Sequence, residues 1–144
     1  MRQYSVGARS AGAGSATLPI GSLYAVASRD GTVREIGITN PQATGFTVGL
    51  CRLTTAGTPG SGLTEFVWHP TDEAADLTAF NTHTSTGPTL ADGGLRDYLA
   101  PGGGTKWVFG GKGLYIPAGT ANGIGIYVPT GNGQVCDFYF CWEE

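Results

Sequence analysis

A chain of 144 residues with a net charge of −3 and scattered basic residues lacks the positive footprint on which nucleic-acid affinity depends. Its length suits one domain around a single core. No segment approaches the roughly 18 apolar residues of a membrane span, and residues 1–16 hold no apolar run of signal-peptide length. Neither nucleic acid nor a membrane is therefore expected as a partner, and the chain is expected to be made in the cytoplasm and to stay soluble. Only 13% of residues are charged and 25 are glycine, against about 25% charged in an ordinary soluble domain. Such a surface suits a fold with many turns, and it also suits being covered by neighbouring subunits, because little charge must be desolvated.

In chain order, Met1 to Ala16 combines small and flexible residues without a hydrophobic period and is predicted to be a loose N-terminal arm over residues 1–16. Residues 17–144 are predicted to form one domain. LPIGSLYAVA is strand-like, SRDG a turn, and TVREIGIT a strand that ends at Asn40-Pro41, where proline cannot continue a ladder. In TGFTVGLCRLT, Phe46, Val48 and Leu50 alternate with Thr47, Gly49 and Cys51, as in a strand with one face in the core.

TTAGTPGSG is a loop and LTEFVW a strand, closed by His69-Pro70. TDEAADLTAF, from Thr71 to Phe80, is predicted to be a short helix with Thr71 or Asp72 as N-cap and Leu77 and Phe80 turned inward. NTHTSTGPTLADGG reads as polar loop, GLRDYLA as a weak short strand, and KWVF as another strand. From Lys112 to Trp142 the pattern is strand, tight turn, strand, tight turn, strand. Ile124, Ile126 and Val128 lie on one face opposite Gly125 and Tyr127, and Cys136, Phe138, Phe140 and Trp142 lie opposite Val135, Asp137, Tyr139 and Cys141. Asn132-Gly133 is a hairpin signal. About eight short strands with glycine and proline punctuation predict an all-β antiparallel sandwich of the jelly-roll type, since the Cys…Trp…Cys pattern of an immunoglobulin domain is absent.

Residues able to carry chemistry are few. His69 and His83 could join Glu65 or Asp72 in a metal site of the two-histidine, one-carboxylate kind, but polar loops such as WHPTDE and NTHTST are better read as ordinary hydrogen-bonding segments. No G-x-S-x-G elbow marks a serine nucleophile, and GGGTK and GGKG lack phosphate-loop spacing. Asp72, Glu73 and Asp76 read as a helix N-terminus. Cys51, Cys136 and Cys141 form no C-x-x-C pair and are expected as free thiols. The expectation is a protein that is not an enzyme and has no catalytic residues, no metal and no cofactor. The aromatic residues leave three readings: core packing, subunit contact, or a carbohydrate platform built from Trp68, Tyr98, Trp107 or Tyr127.

REIGITNPQATGFTVGLCRLTTAGTPG, followed by KGLYIPAGTANGIGIYVPTGNG, resembles the small jelly-roll structural proteins of tailed bacteriophages, the head-decoration or minor capsid proteins. The resemblance covers Thr32 to Gly60 and Lys112 to Trp142. It implies a virion protein on the outer capsid surface that binds the major capsid protein, stabilises the head and forms a homotrimer. Arg2, Tyr4 and Arg9 are then the expected capsid-contact residues, and Trp107, Tyr115 and Tyr127 the expected inter-subunit residues. A glycan-binding module of a phage tail or fibre is the alternative.

Overall fold

The computed structural model describes every residue from Met1 to Glu144. It is all-β, with strands β1 (Gln3–Arg9), β2 (Gly21–Tyr24), β3 (Gly31–Thr39), β4 (Phe46–Leu53), β5 (Gly62–Leu63), β6 (Phe66–Val67), β7 (Thr78–Phe80), β8 (Leu90–Leu99), β9 (Gly104–Val108), β10 (Leu114–Ile116), β11 (Gly123–Tyr127) and β12 (Asp137–Glu143). Two antiparallel sheets of six strands result. The first, sheet A, runs β10-β3-β12-β1-β6 with β9 also paired to β3, and the second, sheet B, runs β5-β7-β2-β11-β4-β8.

Alternation along the strands sends one set of side chains from each sheet into a shared core of 22 buried residues. Tyr4, Val6, Val33, Ile36, Ile38, Phe138, Phe140 and Trp142 come from sheet A, and Leu23, Phe46, Val48, Leu50, Ile124 and Ile126 from sheet B. The inward faces expected for TGFTVGLCRLT, IGIYVP and CDFYFCW are thus the faces that meet.

The residues expected to form a loose arm are instead integral to the sheet. β1 lies between β12 and β6, in register from Gln3 opposite Glu143 to Arg9 opposite Asp137, and Tyr4 is fully buried. Its period of two rests on just two large side chains, Tyr4 and Val6, set among small and polar ones. Residues beyond the strand are also held: Ala11 N–H donates to Asn81 Oδ1 at 2.8 Å and Gly12 N–H to Thr82 Oγ1 at 3.1 Å.

The helix expected over Thr71 to Phe80 is replaced by a turn, an irregular segment and β7. Carboxylates take the amide protons that helix carbonyls would otherwise accept. Glu65 accepts from Ala75 N–H at 3.0 Å, while Glu144, its side chain fully buried, accepts from Asp76 and Leu77 N–H at 2.9 Å each. Leu77 still enters the core, but Phe80 packs on the opposite side, with Tyr24.

Two further expectations change. LADGGLRDYL is one strand, β8, and not a loop followed by a short strand; Gly93 to Leu95 bulge out opposite Leu50, where the register steps from Gly49–Arg96 to Cys51–Asp92. The segment from Lys112 to Trp142 is no meander. β10 pairs with β3 in sheet A, β11 with β2 and β4 in sheet B, and β12 with β1 and β3 in sheet A, so both intervening turns cross between sheets. Asn132-Gly133 closes no hairpin, because the neighbouring strands bury their apolar faces against each other across the core and do not pair edge to edge.

Many glycines sit within strands and not at turns. Tyr139 lies opposite Gly37, Tyr127 opposite Gly49, and Tyr24 opposite Gly123. In each pair the ring occupies the space above the glycine: a Cβ built on Gly49 would stand 2.7 Å from Tyr127 Cε1, one on Gly123 would stand 2.7 Å from Tyr24 Cδ1, and one on Gly37 would collide with the Tyr139 ring. Phe138 covers Gly21 on the inner side in the same way, a Cβ there meeting the ring at 2.5 Å.

Two measurements check this account. Deleting residues 1–9 removes a strand bonded on both sides, so the cooperative urea transition is expected to disappear; a removable arm would leave it unchanged. Gly37→Ala is expected to lower stability by about 1–3 kcal/mol through overpacking, and the loss should shrink when Tyr139→Ser is made in the same chain, as a double-mutant cycle would read.

Candidate functional surface

The two outer faces of the sandwich differ. On sheet B, Tyr24, Cys51, Leu53 and Tyr127 form a second buried cluster, with Ala56, Phe80 and Leu90 packed against it. Its cover comes from two loops tied together by Thr54 N–H to Thr89 O at 3.1 Å, Thr58 N–H to Thr86 O at 2.8 Å and Thr84 N–H to Thr58 O at 2.9 Å. The Tyr24 hydroxyl donates to Thr55 O at 2.8 Å, and burial pushes the Cys51 thiol up to about 12, which keeps it protonated. A 210 Å³ depression lined by Tyr24, Ala56, Pro59 and Phe80 remains beside the cover.

Beneath the same cover Ser22 Oγ lies 2.8 Å from His83 Nε2, a serine and histidine within catalytic reach. Both are sealed from solvent, and His83 Nδ1 has no partner. A serine nucleophile needs a base oriented through its second nitrogen and room for a substrate carbonyl. Here the economical tautomer carries its proton on Nε2 and donates it to Ser22, leaving only a lone pair unsatisfied at Nδ1. The pair therefore anchors the loop to β2. His69 is exposed on a turn, Glu65 is bonded to the Ala75 amide, and no three histidine, cysteine, aspartate or glutamate side chains converge as metal ligands.

Sheet A has no such cover. The β1–β12–β3–β9 registers put Gln3, Ser5, Gly7, Arg9, Asp137, Tyr139, Cys141, Glu143, Glu35, Gly37, Lys106 and Val108 on its outer face. Its middle is flat, because Tyr139 lies between Gly7 and Gly37 and donates its hydroxyl to Glu35 at 3.0 Å. Burial and the Glu35 carboxylate push that phenol up to about 12. The charges pair within the face: Arg34 with Glu143 at 2.8 Å, Lys106 with Glu35 at 3.3 Å, and Arg9 with Asp137. Arg34 beside Glu143 and Arg9 beside Asp137 hold those carboxyls below their usual range. At one margin Phe66 is 70% and Trp68 50% exposed; at the other Val108 is 66% and Tyr115 50% exposed.

The residues expected to make contacts fall in different places. Tyr4 and Tyr127 are buried, Tyr4 in the main core and Tyr127 under the sheet B cover, and neither presents its ring at the surface of the chain. Arg2 is engaged with Glu73 and Asp76 at 3.1 Å each and lies 3.6 Å from Glu144, locking the two ends of the chain to the segment before β7. Arg9 faces solvent beside Asp137. Trp107 pairs with Ile36, on the core side of sheet A, and is half-buried, whereas Tyr115 projects outward with its hydroxyl on Asp30 at 2.7 Å. Of the aromatic platform candidates, Trp68 and Tyr98 are exposed, on different sheets. Phe66 and Val108 escaped notice in the sequence, since in a two-residue or unbroken apolar strand nothing local distinguishes the outward residue from its neighbour.

His83 makes stability depend on pH. Burial holds its pKa down at about 4 against the usual 6.5. Between those values the unfolded chain binds a proton that the folded chain refuses. The contribution is complete above pH 6.5, declines as pH falls, and is gone near pH 4, a loss of about 3 kcal/mol. Urea denaturation across that window should show the loss in the wild type and a flatter profile in His83→Gln.

No protein-family model matches the chain, and no curated protein or solved structure matches it.

Proposed function

We propose that the chain is a virion structural protein: a jelly-roll capsid decoration or minor capsid subunit that binds the major capsid protein on the outer head surface, stabilises the head, and works as a homotrimer without catalysis. The jelly-roll reading is supported by the order of the longer strands, β1-β12-β3-β9 in one sheet and β2-β11-β4-β8 in the other, as in two interlocked Greek keys with first and last strands adjacent.

The observation that carries the assembly reading is the side of the sandwich formed by β8, β9 and β10. There the two sheets end in edges with no further strand, and Leu95, Tyr98, Val108 and Tyr115 are exposed. The same side holds a 160 Å³ hollow lined by Leu50, Leu114 and Ile124, with Arg52 bridging to Tyr115 O at 2.9 Å. Exposed apolar side chains beside unpaired edges favour contact with another chain. The bulge at Gly93 to Leu95, held by Gly94 N–H on Asp92 at 3.0 Å and by Arg96 on Asp92 at 2.8 Å, interrupts β8 and opposes indiscriminate strand addition. Contact through side chains, with a defined partner, is what such an edge permits.

Quantitative mass spectrometry of purified virions should find the chain in fixed stoichiometry to the major capsid protein, and native mass spectrometry of the isolated protein should find a trimer that Val108→Asp reduces to monomers. Absence from virions would refute the capsid reading. A monomer at every concentration would refute the trimer.

A further inference from the structure

We infer that the outer face of sheet A, at its β6 margin, is a binding site for a neutral carbohydrate, with Trp68 as the stacking side chain. The chain after β6 bonds back to β1 through Trp68 N–H to Gln3 O at 3.1 Å, and the indole Nε1–H donates to Ser5 Oγ at 3.1 Å. The indole is thus tied toward β1 while half of its surface stays in solvent. Beside it a 50 Å³ depression is lined by Gln3, Arg34, Cys141 and Glu143. Its polar groups are held in place before any ligand arrives: Gln3 Nε2 donates to Glu143 Oε1 at 3.0 Å, and Arg34 donates to Glu143 Oε2 at 2.9 and 2.8 Å.

A pyranose ring offers one face of C–H groups and a rim of hydroxyls that both donate and accept. An exposed, oriented indole meets the first, and a fixed row of amide, guanidinium and carboxylate meets the second; a few placed polar groups beside an aromatic surface are how a site fixes a ligand's orientation. Charge selects against other occupants. The strands of sheet A carry Arg9, Arg34 and Lys106 against Glu35, Asp137 and Glu143, and each cation is paired to one of these anions. The face has no uncompensated charge for a phosphate or an acidic peptide. Its middle, where the Tyr139 ring lies down over Gly37 and Gly7 on β1 carries no side chain, gives an extended chain of sugar residues a level surface on which to continue. Phe66, two residues before Trp68 and 70% exposed, extends the apolar margin. Trp68 lies on the opposite margin of the sheet from β9 and β10, while Arg34, on β3, forms the end of the site nearer the assembly side.

The test is a titration of the purified protein with chitotetraose, cellotetraose, laminaritetraose and maltotetraose at up to millimolar concentration, read by tryptophan fluorescence and by affinity electrophoresis in the matching polysaccharides. At least one should bind, and Trp68→Ala should bind it about tenfold more weakly or not at all. Gln3→Ala, which removes a surface amide and leaves the core intact, should also weaken binding; it decides the matter if Trp68→Ala fails to fold. Trp107→Phe, on the core side, should bind as the wild type does. No binding to any of the four, or equal binding by the wild type and the folded Trp68 and Gln3 variants, overturns the proposal. Self-association lost in Trp68→Ala with no saccharide response would overturn it in favour of a protein contact. None of these results alters the virion stoichiometry expected above.

Discussion

The seating of aromatic rings on glycines in the facing strand is the interaction on which the rest of the sandwich depends. A glycine in a strand is expensive in conformational entropy and leaves backbone exposed. A tyrosine directly opposite can lie down over it, covering the exposed backbone with its ring, an arrangement known to rescue glycine in sheets. Tyr24 on Gly123 and Tyr127 on Gly49 do this on sheet B, and Tyr139 on Gly37 does it on sheet A. Phe138 over Gly21 uses the same principle to close the core. A chain with so few charges and so many glycines can thereby form two stable sheets.

The consequences diverge on the two faces. On sheet B the flattened rings make a low surface on which the loops after β4 and before β8 can rest, and Ser22 with His83 pins that cover from below. On sheet A the same flattening leaves a smooth face bounded by Phe66 and Trp68 on one margin and Val108 and Tyr115 on the other. One face is thus covered by the chain's own loops and the other is exposed. Tyr127, for all its position in an apolar strand, belongs to the first kind; Tyr115 belongs to the second.

Much of this was legible from period-two alternation. The inward faces of β4, β11 and β12 follow directly from Phe46, Val48 and Leu50, from Ile124 and Ile126, and from Phe138, Phe140 and Trp142, because burial of one face is a local property of a strand. Pairing is not local. The turns between Ile116 and Gly123 and between Val128 and Cys136 have the composition of hairpin turns, yet they cross between sheets, and only the positions of β2, β3 and β4 decide that. β1 was hidden because two large apolar residues in seven make a weak period, while its main partner, β12, lies at the far end of the chain. The supposed helix failed on acceptors outside its own segment, since Glu65 binds the Ala75 amide from before the helix and Glu144 binds those of Asp76 and Leu77 from the far end of the chain. For the candidate surface, the sequence could supply Trp68 as an aromatic of interest but not its orientation, which comes from Ser5 on a strand read as an arm.

Nuclear magnetic resonance of the glycine α-protons tests the central interaction most directly. A tyrosine ring lying over Gly37, Gly49 or Gly123 places those protons in its shielding cone, so their resonances should be shifted upfield, with the two protons of each glycine made unequal, and should return toward ordinary strand values when Tyr139, Tyr127 or Tyr24, respectively, is replaced by leucine. Unshifted α-protons in the folded wild-type protein would mean that the rings stand away from the sheet, and the seating of aromatics on glycine would not be what holds these faces together.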